Sequence, residues 1–391
     1  ILYIYDDKYN LSVDELKTLR TPQGYVVYLY KKNNNDNFNS IKSIIDTKYN
    51  EDNNLKYVLL FGSIEEVPTL MREGIVEDFY QTLYNQITDK AASDISYGII
   101  NNNYKIIIGR LSPGDNLYTA NSKELTDEEK KKNIQNQINK IKDYENIIDN
   151  ILSNSYSGNL DDDWPRKIIG IASYEGAGYG IDNLADNIYM RNELEKYEQS
   201  NLNCHFTELY DNDYYELPTP TGNNNENEYD DESSNPIDSD LSKEINQGSS
   251  LLLYVGHANE ISLSTTNFSV DDISSLSNYN KYFLGSVVGC SIGSFDEYYM
   301  SLAEYFQIAE NKGSIAMFVS SILQSWTPPM YMQRKLNTTI INSDKIMTIG
   351  ELFKESISAT EFKEEPDYWY YHILGDPCTR FILTLPNLKQ I

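Results

Sequence analysis

The chain has 391 residues, 40% of them hydrophobic and 12% aromatic, which is enough to bury a sizeable core and to build two packed subdomains. Fifty-nine acidic residues against 32 basic ones give a net charge of −27, and the Lys and Arg residues are scattered instead of striped, which argues against a nucleic-acid partner. No run of about 18 consecutive apolar residues is present, so no membrane span is expected, and neither CxxC nor HExxH spacing occurs, which argues against zinc.

In the first half, ILYIYDD, GYVVYLY, YVLLFG and KIIIGRL read as four strands. They alternate with polar or helical stretches such as SVDELKTLR and FNSIKSIIDTKY, the pattern of a small doubly wound sheet. A long charged helix is expected from about Thr126 to Leu152, because Ile134, Ile138, Ile141 and Tyr144 recur at three- and four-residue spacing along one stripe. The second half supplies KIIGIAS, HFTELY, SLLLYVGH, YFLGSVVGC and SIAMFVSS, a larger sheet. Between Leu217 and Asp240 the chain is poor in aliphatics and dense in Asn, Asp, Glu and Ser, which reads as a surface loop or disordered insertion. The division expected is therefore a supporting subdomain over 1–155 and a second, chemistry-bearing subdomain over 156–391.

Two apolar runs of that second half end in reactive side chains 33 residues apart: LLLYVGHANE delivers His257, and YFLGSVVGCSIGS delivers Cys290 after the small residue Gly289. Each run reads as a buried parallel strand, and 258–281, with VDDISSL as a short helix, is long enough for the crossover that parallel neighbours require. Side by side, the strands bring an imidazole and a thiol together at their carboxyl ends, where open α/β sheets place ligand sites. A thiol of ordinary pKa is only slightly ionised at neutral pH and needs such a basic partner to act as a nucleophile. Taken singly, each residue has a plainer reading: a Cys closing an apolar run is most often a small buried hydrophobe, and a lone His there a satisfied core residue. The pair at matching strand ends points instead to a cysteine hydrolase.

From Ile1 to about Leu385 the chain resembles the catalytic domain of a gingipain-type cysteine peptidase (peptidase family C25), of the caspase-like superfamily. The resemblance rests on YVGHANE, VVGCSIGSFD, SSILQSWTPPM and HILGDP in the second half and on YVLLFGSIEEVP, SDISYG and IIIGRLSPGD in the first, in order and at matching spacing. It implies a caspase-like three-layer α/β/α fold with a mostly parallel sheet in each of two subdomains. It makes Cys290 the nucleophile and His257 the general base and acid, with the backbone N–H groups of Cys290 and Ala258 as oxyanion donors. The family usually has Gly after the His; Ala258 keeps the N–H, while its methyl restricts the backbone and the approach of a carbonyl.

Within IIGIASYEGAGYGIDNLADNIYMRNELEKY the resemblance places Glu175 as the acid that orients the His ring, and Asp186 as the acid at the base of the specificity pocket of arginine-specific members. A buried aspartate under a guanidinium forms a charge-assisted bidentate pair that an ammonium does not copy, so cleavage after Arg, with Lys second, is expected. Trp326, in QSWTPP, corresponds to that pocket's aromatic wall, lying flat along the substrate side chain. Val255 and Val288, two residues before His257 and Cys290, share their sheet face by strand periodicity and are expected to line the pocket. Without the resemblance, Glu175 and Asp186 are two acids among 59 and read as solvated surface, and Trp326 reads as core.

The expected partners are thus proteins or peptides with Arg or Lys before the scissile bond, which an acidic surface attracts, although acidity also serves solubility alone. The chemistry needs no cofactor; structural calcium is a further expectation, since gingipain-like enzymes carry it and the loop around Asp161, Asp162 and Asp163 offers hard oxygen ligands, though no EF-hand pattern matches. With Cys290 as a thiol, Cys204 and Cys378 are the one internal pair left for a disulfide. No Arg or Lys occurs from Tyr197 through Leu241, so self-processing is expected not in the acidic loop but at Lys130 to Lys132, placed in the linker before the long helix. The chain opens on Ile without a signal-peptide pattern, which fits a mature or excised fragment; the resemblance adds export, and hence a secreted or cell-surface enzyme. A sortase-like transpeptidase shares the same nucleophile and base, and a catalytically silent binding or adhesion module shares the same fold; both stand as alternatives.

Overall fold

The computed structural model describes residues 1–73, 90–117, 123–153, 163–211, 235–358 and 366–383. The first half runs β1 (Leu2–Tyr5), α1 (Asn10–Arg20), β2 (Tyr28–Lys31), α2 (Phe38–Glu51), β3 (Tyr57–Phe61), β4 (Leu70–Glu73) and β5 (Lys90–Ser93). It continues with β6 (Ile99–Ile100), β7 (Asn103–Tyr104), β8 (Ile107–Leu111), β9 (Asn116–Leu117), β10 (Lys123–Glu124) and α3 (Asp127–Leu152). The second half holds β11 (Lys167–Ala172), α4 (Asp186–Glu198), β12 (His205–Tyr210), α5 (Asp238–Gln247), β13 (Leu251–Val255), β14 (Ala258–Asn259), β15 (Ser262–Leu263) and β16 (Phe268–Ser269). Then follow β17 (Phe283–Val288), α6 (Leu302–Ile308), β18 (Ser314–Ser320), α7 (Thr327–Asn342), α8 (Ile349–Ile357), α9 (Pro366–Trp369) and β19 (Tyr371–Gly375). The VDDISSL stretch forms a 3₁₀ helix over Val270–Ser275.

Ten of these strands make one sheet in the order β12-β11-β13-β17-β18-β19-β8-β3-β1-β2. All neighbours are parallel except β18 and β19. Instead of a separate sheet in each half, the strands of both halves form this one sheet, joined through β19, whose register pairing to β8 is Leu374 with Arg110. Because β19 reverses direction against β18, the carboxyl ends of β11, β13, β17 and β18 open on the opposite edge of the sheet from those of β1, β3 and β8.

Strand periodicity of two distributes the core to both faces. Tyr3, Tyr5, Leu59 and Phe61, with Ile168, Leu251, Leu253 and Leu284, bury one face against α1, α3, α4, α7 and α8. Leu2, Ile4, Val58 and Leu60 turn to the other face with Ile41 and Ile45 of α2, and Ile169, Ile171, Leu252 and Val287 join Leu241 of α5 and Phe306 of α6 there. Helices on both faces of a mostly parallel sheet give the three-layer α/β/α architecture.

The long helix starts at a capping box of Thr126 and Glu129, and its stripe of Ile134, Ile138, Ile141 and Tyr144 is buried. Lys130 to Lys132 lie inside this helix and not in a linker, and Lys130 is nearly buried in an ion pair with Asp115. Lys131 is partly exposed and Lys132 exposed, but both are helical, so cleavage there would require the first turns to unwind. No disulfide joins Cys204, Cys290 or Cys378. Among the described residues no helix is long and apolar enough to cross a membrane. Most of the acidic loop of 217–240 lies outside the described residues, as do Asp161 and Asp162.

Candidate active site

The strands β13 and β17 are direct parallel neighbours, with Leu251 opposite Leu284 and Val255 opposite Val288. His257 and Cys290 each follow two residues after that last register pair, so the ladder itself brings them to the same level at the sheet's edge. Gly256 N–H still donates to Val288 O at 3.1 Å, and beyond this bond the two chains part. A Cβ on Gly289 would lie 3.0 Å from Ala258 Cβ and 3.2 Å from Gly256 O, so a side chain before the cysteine would wedge the two strand ends apart. The turn after Cys290 is sharp: Ser291 has φ +53°, a left-handed conformation uncommon for a residue with a side chain, and its N–H is held by Ile322 O at 2.8 Å.

The loop after β18 completes the wall beside the thiol. Gln324 Oε1 accepts from Gly289 N–H at 2.8 Å, and Gln324 O lies 4.0 Å from Cys290 Sγ. On the other side, Ser264 N–H donates to His257 O at 3.0 Å, which makes 257 and 264 a hydrogen-bonded antiparallel pair. Alternation along the ladder then puts Ala258 in a non-hydrogen-bonded pair with Leu263, its N–H directed away from β15. The Ala258 methyl, absent where the family has Gly, packs over the bare Cα of Gly289.

His257 is oriented from three directions. Its Nε2 lies 2.7 Å from Glu175 Oε2; its carbonyl accepts from the Tyr254 hydroxyl at 2.5 Å; and its ring packs edge-to-face with Trp326, 5.3 Å between centroids. The imidazole and Glu175 are both about half exposed, so this pair is screened by solvent and acts chiefly through geometry.

Asp186, the first residue of α4, is fully buried. Its Oδ2 accepts from the Ser173 hydroxyl at 2.7 Å and its Oδ1 from the Trp326 indole N–H at 2.8 Å. Both donors are neutral. Burial therefore pushes its carboxyl up to about 7, against the pull of these two hydrogen bonds and of His257. Gly176 (φ +78°) closes over it: a Cβ there would lie 2.4 Å from Asp186 Oδ1 and 2.8 Å from Trp326 Nε1. Trp326 therefore presents its N–H edge to the acid instead of lying as a flat wall beside an open pocket.

Val255 is fully buried and Val288 nearly so, both in the core shared with α4 and α7. They share the face that periodicity gives them, but they support the site from beneath and do not form open pocket lining. Ser173, Gly176, Tyr254 and Gln324 escape a reading of the sequence. The signal available for Ser173 was its place at the end of KIIGIAS, a strand end next to β13; for Gly176 it was the glycine-rich YEGAGYG loop. Among the described residues no group of three His, Cys, Asp or Glu side chains converges as a metal site. Asp163, the one described residue of the loop proposed for calcium, pairs with Arg166 and His205.

Residues 1–382 match peptidase family C25. The chain belongs to this family. It is 27% identical over 369 residues to gingipain R1 of Porphyromonas gingivalis, covering 90% of this chain and 31% of that protein. It is likewise 27% identical over 369 residues to gingipain R2 of P. gingivalis strain W83, of which it covers 41%. The chain thus spans well under half the length of these relatives. In three dimensions it resembles the Arg specific cysteine proteinase gingipain R, with a TM-score of 0.77 and 21% identity over 99% of this chain and 79% of that one. The complex of P. gingivalis RgpB pro- and mature domains gives a TM-score of 0.76 at 20% identity, over 99% of this chain and 80% of that chain. These likenesses establish the caspase-like fold.

Proposed function

We propose that this C25 family member is a cysteine endopeptidase that cleaves after basic residues, Arg before Lys. The observation that carries the reading is the fully buried Asp186, held by neutral donors alone in direct contact, beside the strand ends that bear His257 and Cys290. A carboxylate kept in a dry site without a cation is costly unless a charged ligand completes it. A substrate guanidinium is such a ligand, and its fork matches the two carboxylate oxygens. The net charge of −27 adds long-range attraction for basic substrates.

In the mechanism, His257 takes the Cys290 Sγ proton and the thiolate attacks the carbonyl carbon that follows the arginine Cα. Since Nε2 is committed to Glu175, Nδ1 is the nitrogen that exchanges this proton. The tetrahedral oxyanion is received by the N–H groups of Ala258 and Cys290. As the C–N bond breaks, His257 returns the proton to the leaving amine, leaving a thioester. Water, deprotonated by His257, then releases the acid and restores the thiol. The test is hydrolysis of matched fluorogenic peptides ending in Arg, Lys, Asn or Asp, with Cys290→Ala as control. Arg-selective turnover lost in the variant supports the reading; equal turnover across all four refutes the pocket, and turnover surviving in Cys290→Ala refutes the nucleophile.

A further inference from the structure

We propose that Trp326 is a gate on the specificity pocket: its indole N–H holds Asp186, and a basic side chain must displace the ring to reach the carboxylate. The inference rests on the assignment of Asp186 as the acid that receives the substrate's basic group. Asp186 has no exposed surface, so in this conformation nothing from solvent can touch it. Among the groups that cover it are the Trp326 indole, hydrogen-bonded to Oδ1, and the backbone at Gly176, too close to admit even a methyl group.

Of these two, the indole is the one able to move without rebuilding the backbone. The chain on either side of it is pinned, since Ser325 N–H and hydroxyl both donate to Asp367, at 3.1 and 2.7 Å, and the Thr327 hydroxyl donates to Tyr179 O at 2.6 Å. The same Thr327 bond ties down the loop that carries Gly176, Gly178 and Tyr179. The Trp326 ring, by contrast, is only partly buried, and its N–H bond to Asp186 is replaceable by a stronger, charged donor. Beside it the ring of Tyr179, 56% exposed, lies 6.4 Å from the indole and is a surface partner against which the indole can shift. The raised carboxyl of Asp186 agrees with a pocket that is held closed by neutral donors and completed by charge. His257 makes an edge-to-face contact with the same indole, so displacement of the ring is felt at the base.

The test uses p-aminobenzamidine, an arylamidine that mimics the arginine head and whose own fluorescence reports its transfer to an apolar pocket. With a gate, the observed association rate of the intact protein saturates as probe concentration rises, because ring displacement limits it. In Trp326→Phe, which keeps an aromatic ring and loses the N–H, the rate rises linearly and binding tightens by about 2- to 12-fold, the range for removing one competing hydrogen bond. A linear rate in the unmodified protein together with weaker binding by Trp326→Phe makes the indole a fixed wall and overturns the gate. Should Trp326→Phe fail to fold, the saturation or linearity of the unmodified protein decides alone. Asp186→Asn separates the underlying assignment: if it binds the probe as well as the unmodified protein does, Asp186 is not the receptor for the cation, and the gate falls with it.

Discussion

Asp186→Asn is expected to move activity and stability in opposite directions. The carboxyl sits at about 7 instead of 3.8 because burial strips its hydration. Between those values the folded protein holds a proton that the unfolded chain has released, so stability falls as pH rises through this window and the full penalty stands above pH 7. That distance corresponds to a ceiling of about 4 kcal/mol. Asn fits the same site without charge: its Oδ1 accepts from Trp326 Nε1, and its Nδ2 donates to a rotated Ser173 hydroxyl. At pH 8 the variant should therefore melt at least about 2 °C higher even if only part of the ceiling is realised. Its kcat/KM for an Arg peptide should fall by about 3 kcal/mol or more, upward of about 100-fold, as expected when a buried charge pair loses one partner. The assay is the ratio of kcat/KM for an Arg peptide to that for its citrulline analogue, uncharged and nearly isosteric, in which the ionisations of Cys290 and His257 cancel. In the unmodified enzyme the ratio should drop below a midpoint near pH 7, where the carboxyl gains its proton, and in Asp186→Asn it should be low and flat. A flat ratio from pH 5.5 to 8.5 in the unmodified enzyme, or a variant that is less stable yet cleaves Arg peptides normally, would refute the reasoning.

Cys290→Ala should abolish turnover and leave the melting temperature and far-ultraviolet circular dichroism unchanged, since the half-buried thiol contributes little to packing. Glu175→Gln keeps a hydrogen-bonding partner for His257 Nε2 but removes the charge; because both groups are about half exposed, kcat should fall only about tenfold with KM nearly constant, and a loss confined to KM would mean that Glu175 serves binding instead. Gly176→Ala forces a Cβ to 2.4 Å from Asp186 Oδ1 at φ +78°, so the Arg to citrulline ratio should fall at least about tenfold; an unchanged ratio would show that this loop does not cover the pocket.

Much of this was legible in the chain because it rests on local pattern. ILYIY, YVLLF, KIIGIA, LLLYV and FLGSVV are strands for the reason their composition gives, and the ends of the last two carry His257 and Cys290 to one level because they pair in parallel. Periodicity also set Val255 and Val288 on the right face. It could not tell that both precede the point where the ladder opens, which makes them core. The pairing of Trp326 with Asp186 spans 140 residues and depends on the conformation at Gly176, so no spacing rule reports it. HILGDP was informative as a motif but not as a strand that reverses direction and joins the strands of the two halves into one sheet, since only the register with β18 and β8 defines that role.

The join at β19 makes a last prediction about the two halves. Arg20, at the end of α1, is buried with Glu145 of α3 and with Asp376 just past β19, at 2.7 and 2.5 Å, all three side chains without solvent exposure. Arg380 adds a second cation to Glu145 at 2.6 Å. From α3, Lys140 reaches across to donate to Phe306 O and Ser314 O, the former near the carboxyl end of α6. The antiparallel β4–β5 pair holds the loops beside the thiol: Ala92 N–H donates to Asp296 at 2.7 Å, and Ala92 O accepts from Ser321 at 2.8 Å. Residues 156–391 expressed alone would leave Asp376 buried without its cation, bare the β19 edge and release both loops. Removing one partner from such a buried cluster costs about 3–5 kcal/mol, a large share of the stability of a whole domain. Arg20→Met in the full chain should lower stability by about that amount in urea unfolding. The isolated second half should show no cooperative transition and no hydrolysis of Arg peptides, which adding the first half in trans would restore if the halves fold by docking. A second half that unfolds cooperatively and cleaves Arg peptides by itself would mean that the chemistry needs neither the ion cluster nor the β4–β5 pair.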